Sequence, residues 1–135
     1  MGTGTGYAAA VASLLAKRVW SVERDAALAV AAAERLRRLG FANVRVAVGD
    51  GSRGWPAHAP YRAIVAAAAG ADVPAGWVQQ VAIGGRIVAP IGPRDAQHLV
   101  RITRSATGTV REKLTAVRYV PLVTGDGSEE LIELP

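Results

Sequence analysis

Apolar and polar positions along this 135-residue chain switch between strand-like and helix-like patterns. Residues 8–16 are rich in alanine and leucine and predict a helix; its apolarity on all sides requires it to be buried. "RVWSV" at 18–22 reads as a short strand of β-branched and aromatic content. Asp25 is a suitable N-cap for a helix running to about Leu39. Leu28, Ala32, Leu36 and Leu39 stripe one face of that helix, with Glu34, Arg35, Arg37 and Arg38 elsewhere. Gly40 stands where a helix-ending glycine belongs. "VRVAV" at 44–48 is the next strand and closes on the turn signal "GDG".

A loop containing Pro56 and Pro60 leads to "YRAIVAAAA", a near-continuous apolar run typical of a strand buried on both faces. Residues 74–80 form a short predicted helix with proline in its first turn. "GGRIVAPIG" is a glycine-bounded strand, and residues 99–104 and 110–120 flank "SATGT" as a hairpin. The tail after Pro121 is turn-rich and then acidic. No repeat and no domain boundary interrupts the chain, so residues 1–135 read as a single domain.

Strand–helix alternation followed by a terminal hairpin predicts an α/β fold, with a mostly parallel sheet carrying an antiparallel pair at one edge. Ligands of such sheets sit beyond the carboxyl ends of the strands. The glycine-rich turns noted here fall at those ends.

Composition narrows the picture. Half the residues are hydrophobic, enough for a compact domain with a core. Charged residues interrupt every apolar run before it reaches bilayer length, and no cationic, apolar leader opens the chain, so a cytoplasmic protein without membrane association is expected. The absence of cysteine removes disulfides and thiolate metal sites, and two separated histidines (His58 and His98) disfavour zinc. The net charge of +5 raises nucleic acid as a partner. The arginines are scattered and only seven aromatics are present, so no stacking platform emerges and nucleic acid is disfavoured.

Three features at strand ends could carry chemistry. Gly2, Gly4 and Gly6 in "MGTGTGYAAAVA" permit left-handed backbone and close approach of a ligand to the start of a helix. The dinucleotide fingerprint G-x-G-x-x-G is not met, because Tyr7 stands where its last glycine belongs. No strand precedes these glycines. Glu23 ends "RVWSVE" seventeen positions after Gly6, where a carboxylate can accept both ribose hydroxyls of an adenosine. An exposed charge ahead of a helix is an equally good reading of Glu23 alone. Asp50 in "VGDGSRGW" can accept from an adenine amino group, with the Gly51 N–H serving a ring nitrogen. Alone, it is an ordinary Asp-Gly turn. The order and spacing of all three together carry the nucleoside reading.

"GTGTGYAAAVA", "VWSVERD", "VRVAVGDGSRGWPAHAPY", "GGRIVAPIG" and "VREKLTAVRYVPLV" resemble, in order along nearly the whole chain, the protein-L-isoaspartate O-methyltransferase family. The resemblance implies a Rossmann-like, S-adenosylmethionine-dependent enzyme that methylates the carboxylate of isoaspartyl residues in damaged proteins. It assigns Gly2, Gly4 and Gly6 to the methionine end of the cofactor, Glu23 to its ribose and Asp50 with Gly51 to its adenine, and it adds Thr3, Tyr7 and Arg24 to the cofactor-binding residues. It leaves the catalytic residues undefined. The loop holding His58, Ala59, Pro60 and Tyr61 takes a structural role, since methylating an already ionised carboxylate needs no general base.

The chain departs from the family pattern in several places. Arg62 stands where the family has aspartate, and Ala67 and Ala71 replace threonine and proline in "AAAAGADVP", loosening a wall near the substrate. The family's N-terminal helices, an "ISQP"-like segment and the first, central strand have no counterpart. Unsatisfied buried backbone groups cost about 1–3 kcal/mol each, so the loss of a strand from mid-sheet rivals the stability of a whole domain. Met1 falls where the family has isoleucine or a similar residue. The chain therefore reads as a fragment whose upstream in-frame stretch encodes the strand, with folding dependent on that segment and activity in doubt. A non-catalytic remnant or interaction module, and a methyltransferase acting on another peptide or small molecule, stay open as alternatives.

Overall fold

The computed structural model describes residues 1–125 and 130–135; residues 126–129, within the expected turn-rich tail, lie outside the described residues. In chain order the elements are α1 (Tyr7–Leu15), β1 (Val19–Glu23), α2 (Ala26–Arg38), β2 (Val44–Val48), β3 (Tyr61–Val65), α3 (Ala75–Gln80), β4 (Val81–Ile91), β5 (Gln97–Ser105), β6 (Gly108–Val117) and β7 (Ile132–Glu133). They belong to two compact units, Met1–Gly51 with Val123–Pro135, and Ser52–Leu122. None of the helices among the described residues is long and apolar enough to cross a membrane.

In the first unit the sheet order is β1-β2-β7. β1 and β2 run parallel from Val19 beside Val44 to Glu23 beside Val48, so their carboxyl ends finish level. α2 makes the crossover. The Asp25 carboxylate accepts the Leu28 N–H at 2.9 Å, capping the helix as the sequence predicts. At the other end Gly40, at φ 83°, donates to the Arg37 carbonyl while Phe41 donates to the Leu36 carbonyl. This pair of bonds satisfies the last carbonyls and needs a left-handed residue at Gly40.

Two expectations about helix burial are corrected here. The buried face of α2 is Ala29, Ala32 and Leu36: Ala32 and Leu36 belong to the predicted stripe, Ala29 takes the place of Leu28, and Leu28 and Leu39 are 47% and 62% exposed. Small alanines let the helix lie close against Val44 and Val46, and Leu39 falls at the cap, past the last packed turn. α1 is not buried all round: only Ala9 and Ser13 are, and Tyr7, Leu14 and Leu15 are at least three-quarters exposed. It packs through the side that carries Ala9 and Ser13.

In the second unit the order is β3-β4-β5-β6. β3 and β4 are parallel, joined through α3; β4–β5 and β5–β6 are antiparallel, the latter through a two-residue turn between the paired Ser105 and Gly108. The predicted hairpin is therefore present. β3 does not have both faces buried: Ile64 is inside, and Arg62, Ala63 and Val65 are exposed. It is an edge strand, and the six-residue α3 is the unit's one α-helix among the described residues, too short to cover both faces.

The strand pairing carries both the parallel crossovers and the antiparallel hairpin expected of the α/β fold. The described residues form two mixed sheets, with two parallel pairings, both spanning helices, and three antiparallel ones. Parallel pairing needs a crossover, and short turns after β4 and β5 permit only antiparallel return.

Polar side chains fasten the second unit where its helix meets its strands. Gln80, buried, accepts the Trp55 N–H at 2.8 Å and donates to the Arg53 carbonyl at 2.7 Å. Arg104 donates to the carbonyls of Val78, Gln79 and Val81 at 3.0, 2.9 and 2.6 Å, closing the end of α3 from β5. The Tyr61 hydroxyl donates to the Trp55 carbonyl, and His58 meets the Trp55 ring edge-on at 5.1 Å.

Arg104→Ala is expected to lower stability in urea unfolding by about 1–3 kcal/mol, the scale of hydrogen bonds from a charged donor, with Arg104→Lys recovering part of it. A second expectation concerns alkali. Burial pushes the Tyr61 phenol up from 10.0 to about 12. The unfolded chain ionises this group first, so between these values the folded state holds more protons and stability falls as pH rises. Melting midpoints followed from pH 10 to 12 should show a slope that Tyr61→Phe reduces.

Candidate functional site

The level carboxyl ends of β1 and β2 present a cluster of backbone and carboxylate groups within the first unit. Gly2, Gly4 and Gly6 all adopt left-handed backbone, at φ 78°, 53° and 89°. At Gly4 the space a Cβ would fill is open, so the requirement there is conformational and leaves the backbone accessible. The Gly2 N–H donates to the Val22 carbonyl at 2.9 Å, so the opening residues run beside the end of β1. The hydroxyls of Thr3 and Ser21 share a buried hydrogen bond of 2.7 Å. Arg35, from α2, donates to the Thr5 carbonyl at 2.7 Å.

Glu23 organises this end of the sheet. One carboxylate oxygen accepts the Gly4 N–H at 2.8 Å and the other accepts the Asp25 N–H at 3.1 Å. A carboxylate offers about four acceptor positions, so this arrangement orients the group without exhausting it. The Glu23 carbonyl accepts the Gly49 N–H at 2.9 Å, joining β1 to the turn after β2. The Met1 side chain lies 3.6 Å from where a Cβ on Gly51 would stand.

Asp50 is 3% exposed, and its Oδ2 accepts the Gly125 N–H at 2.7 Å. The structure therefore brings Gly2, Thr3, Gly4, Gly6, Glu23, Asp50 and Gly51 to one end of one small sheet. Tyr7 and Arg24 belong to the same segments with exposed side chains. Sequence reasoning missed three contributors. Ser21 was detectable as a hydroxyl in an otherwise apolar strand. Gly125 and Leu131, which packs against Gly49, come from the tail and give no local signal.

The model of the family described as protein-L-isoaspartate(D-aspartate) O-methyltransferase matches residues 1–127. The chain belongs to this family. Protein-L-isoaspartate O-methyltransferase 1 of Rhodopseudomonas palustris (strain HaA2) is 52% identical over 129 residues, covering 94% of this chain and 53% of that protein. A solved protein-L-isoaspartate O-methyltransferase superposes with a TM-score of 0.85 at 31% identity, over 93% of this chain and 41% of its own. A Plasmodium falciparum structure, titled as a putative protein-L-isoaspartate O-methyltransferase in complex with S-adenosyl-L-homocysteine, shares the fold with a TM-score of 0.76 at 22% identity. It is covered over 64% of its length and this chain over 92%. The fold is thus the Rossmann-like α/β fold of the protein-L-isoaspartate O-methyltransferases, and the chain spans about half the length of the curated relatives it matches. The glycine loop, Glu23 and Asp50 all fall inside the region matched by the family model.

The Thr3–Ser21 bond gives a direct test of how this loop is held. Thr3→Val should cost about 1–3 kcal/mol by stranding the buried Ser21 hydroxyl, whereas Thr3→Val with Ser21→Ala should cost clearly less than the sum of the single changes. Denaturant titrations of the three variants measure the coupling.

Proposed function

We propose that residues 1–135 form the cofactor-binding part of a single methyltransferase domain that uses S-adenosylmethionine to methylate the carboxylate of L-isoaspartyl residues in proteins. The observation that carries the reading is the Glu23 carboxylate, oriented at a strand end by the N–H groups of Gly4 and Asp25, beside a left-handed glycine loop. Family membership and relatives named for this activity support it, as does a fold neighbour described with S-adenosyl-L-homocysteine.

The residues present suit such a cofactor. Gly2, Thr3, Gly4, Gly6 and Tyr7 would hold its methionine end, where the open space at Gly4 admits close approach to the backbone. Glu23, with Arg24 beside it, would accept the ribose hydroxyls, and Asp50 with Gly51 would address the adenine. The cofactor supplies an electrophilic sulfonium methyl group. An isoaspartyl carboxylate is ionised at neutral pH and attacks without a base, so this chain's contribution is binding and alignment.

Calorimetric titration with S-adenosylhomocysteine tests the reading. The folded chain should bind it, and Glu23→Ala should weaken binding by about tenfold or more through loss of hydrogen bonds to a charged acceptor. A folded circular dichroism spectrum with no binding heat would refute the cofactor site. Methyl transfer to an isoaspartyl peptide, measured against the matching aspartyl peptide, separates repair chemistry from transfer to another substrate.

A further inference from the structure

The glycine loop has a support besides the end of β1, and that support is α2. A Cβ placed on Gly6 would lie 3.3 Å from both Cγ and Cδ1 of Leu36 and 3.6 Å from the Cβ of Ala32, so the loop is seated against the buried face of this helix. One residue before Leu36, the exposed Arg35 reaches the Thr5 carbonyl at 2.7 Å, 30 positions back in the chain. The N–H of the same peptide group, that of Gly6, donates to the Thr3 carbonyl at 2.9 Å. The Thr5–Gly6 peptide is thus held on both sides, its oxygen by α2 and its nitrogen from within the loop.

We propose that Arg35 is a positioning residue for the cofactor, acting through the Thr5 carbonyl. The inference rests on the cofactor reading above, in which the loop from Gly2 to Tyr7 holds the methionine end. The Thr5–Gly6 peptide turns about ψ of Thr5 and φ of Gly6, and glycine populates positive and negative φ about equally well. Gly4 and Gly6 stand on either side of Thr5, at φ 53° and 89°. The loop's own residues therefore leave the plane of that peptide free to turn, and contacts from outside must fix it. Ser21 supplies one contact at Thr3, Glu23 one at Gly4, and Arg35 the one at Thr5. The apparent affinity of a ligand scales with the fraction of the protein in the binding-competent shape. Releasing the Thr5 carbonyl thus weakens binding although Arg35 itself touches only the loop.

Arg35→Ala tests this at an exposed helix position, where alanine is the best helix former. Titrated with S-adenosylhomocysteine, the variant should bind about three- to tenfold more weakly than the unaltered chain, the range of one hydrogen bond. Its melting midpoint should hardly move, as for other surface substitutions. Arg35→Lys keeps a charged donor on a flexible stem and should recover part of the affinity. In the ligand-free chain, Arg35→Ala should also speed amide exchange at Gly6, while Gly4, held by Glu23, keeps its rate. A general loss of stability would speed both amides together. Equal binding by Arg35→Ala and the unaltered chain, no recovery in Arg35→Lys, or an unchanged Gly6 amide would overturn the proposal and leave the cofactor reading in place. Absence of binding by the folded, unaltered chain would instead remove the cofactor reading and this proposal with it.

Discussion

The carboxylate of Glu23 is the constraint on which the first unit's functional end depends. Its two oxygens accept N–H groups from two different segments, Gly4 in the opening loop and Asp25 at the start of α2. Asp25 in turn caps α2, and α2 sends Arg35 back to the Thr5 carbonyl. The loop is thus held from the strand end and from the helix that follows that strand. Backbone N–H groups are obligatory donors, and a glycine loop with three left-handed residues has no regular structure to satisfy them. One well-placed anion supplies part of that requirement and leaves the loop in a defined shape.

The same constraint explains why this part of the site was legible in the sequence. Glu23, Asp25 and the glycines lie close to helix and strand boundaries, where residue type is dictated by local backbone chemistry. The N-cap, the helix-ending Gly40 and the strands at 44–48 and around 18–22 follow from the same local rules, and they are present. Burial was less legible. "YRAIV" has the composition of a doubly covered strand, but coverage depends on which helices lie above and below, and β3 stands at an edge. Leu28 and Leu39 carry more apolar surface than Ala29, yet the small residue is the one that faces β2. Hydrophobicity ranks residues; close packing against a sheet selects for size as well.

The pairing pattern was legible to the extent that loop length controls it. A helix between two strands allows parallel pairing, and a short turn compels antiparallel pairing, so β1–β2, β3–β4 and β5–β6 follow from the sequence. β7 has only two residues and pairs with β2 across a long stretch of chain. No periodicity can signal an element of that length. It is fixed by Leu134 reaching the core and by the free edge that β2 offers, both consequences of tertiary structure.

Glycines at strand ends show why residue type alone is an incomplete guide to a ligand site. Gly4 and Gly49 both follow the pattern of glycine near a nucleoside-type turn, and both have positive φ. Their surroundings differ. The space above Gly4 is open, so the absent side chain leaves room that a ligand can use. The space above Gly49 is filled by Leu131, so the absent side chain there admits the protein's own tail. One glycine exposes backbone and the other accommodates packing, although the sequence presents them alike. The distinction follows from where the tail is anchored: the glycine loop keeps open space at Gly4, whereas Leu131 covers Gly49 and the neighbouring Asp50 is buried.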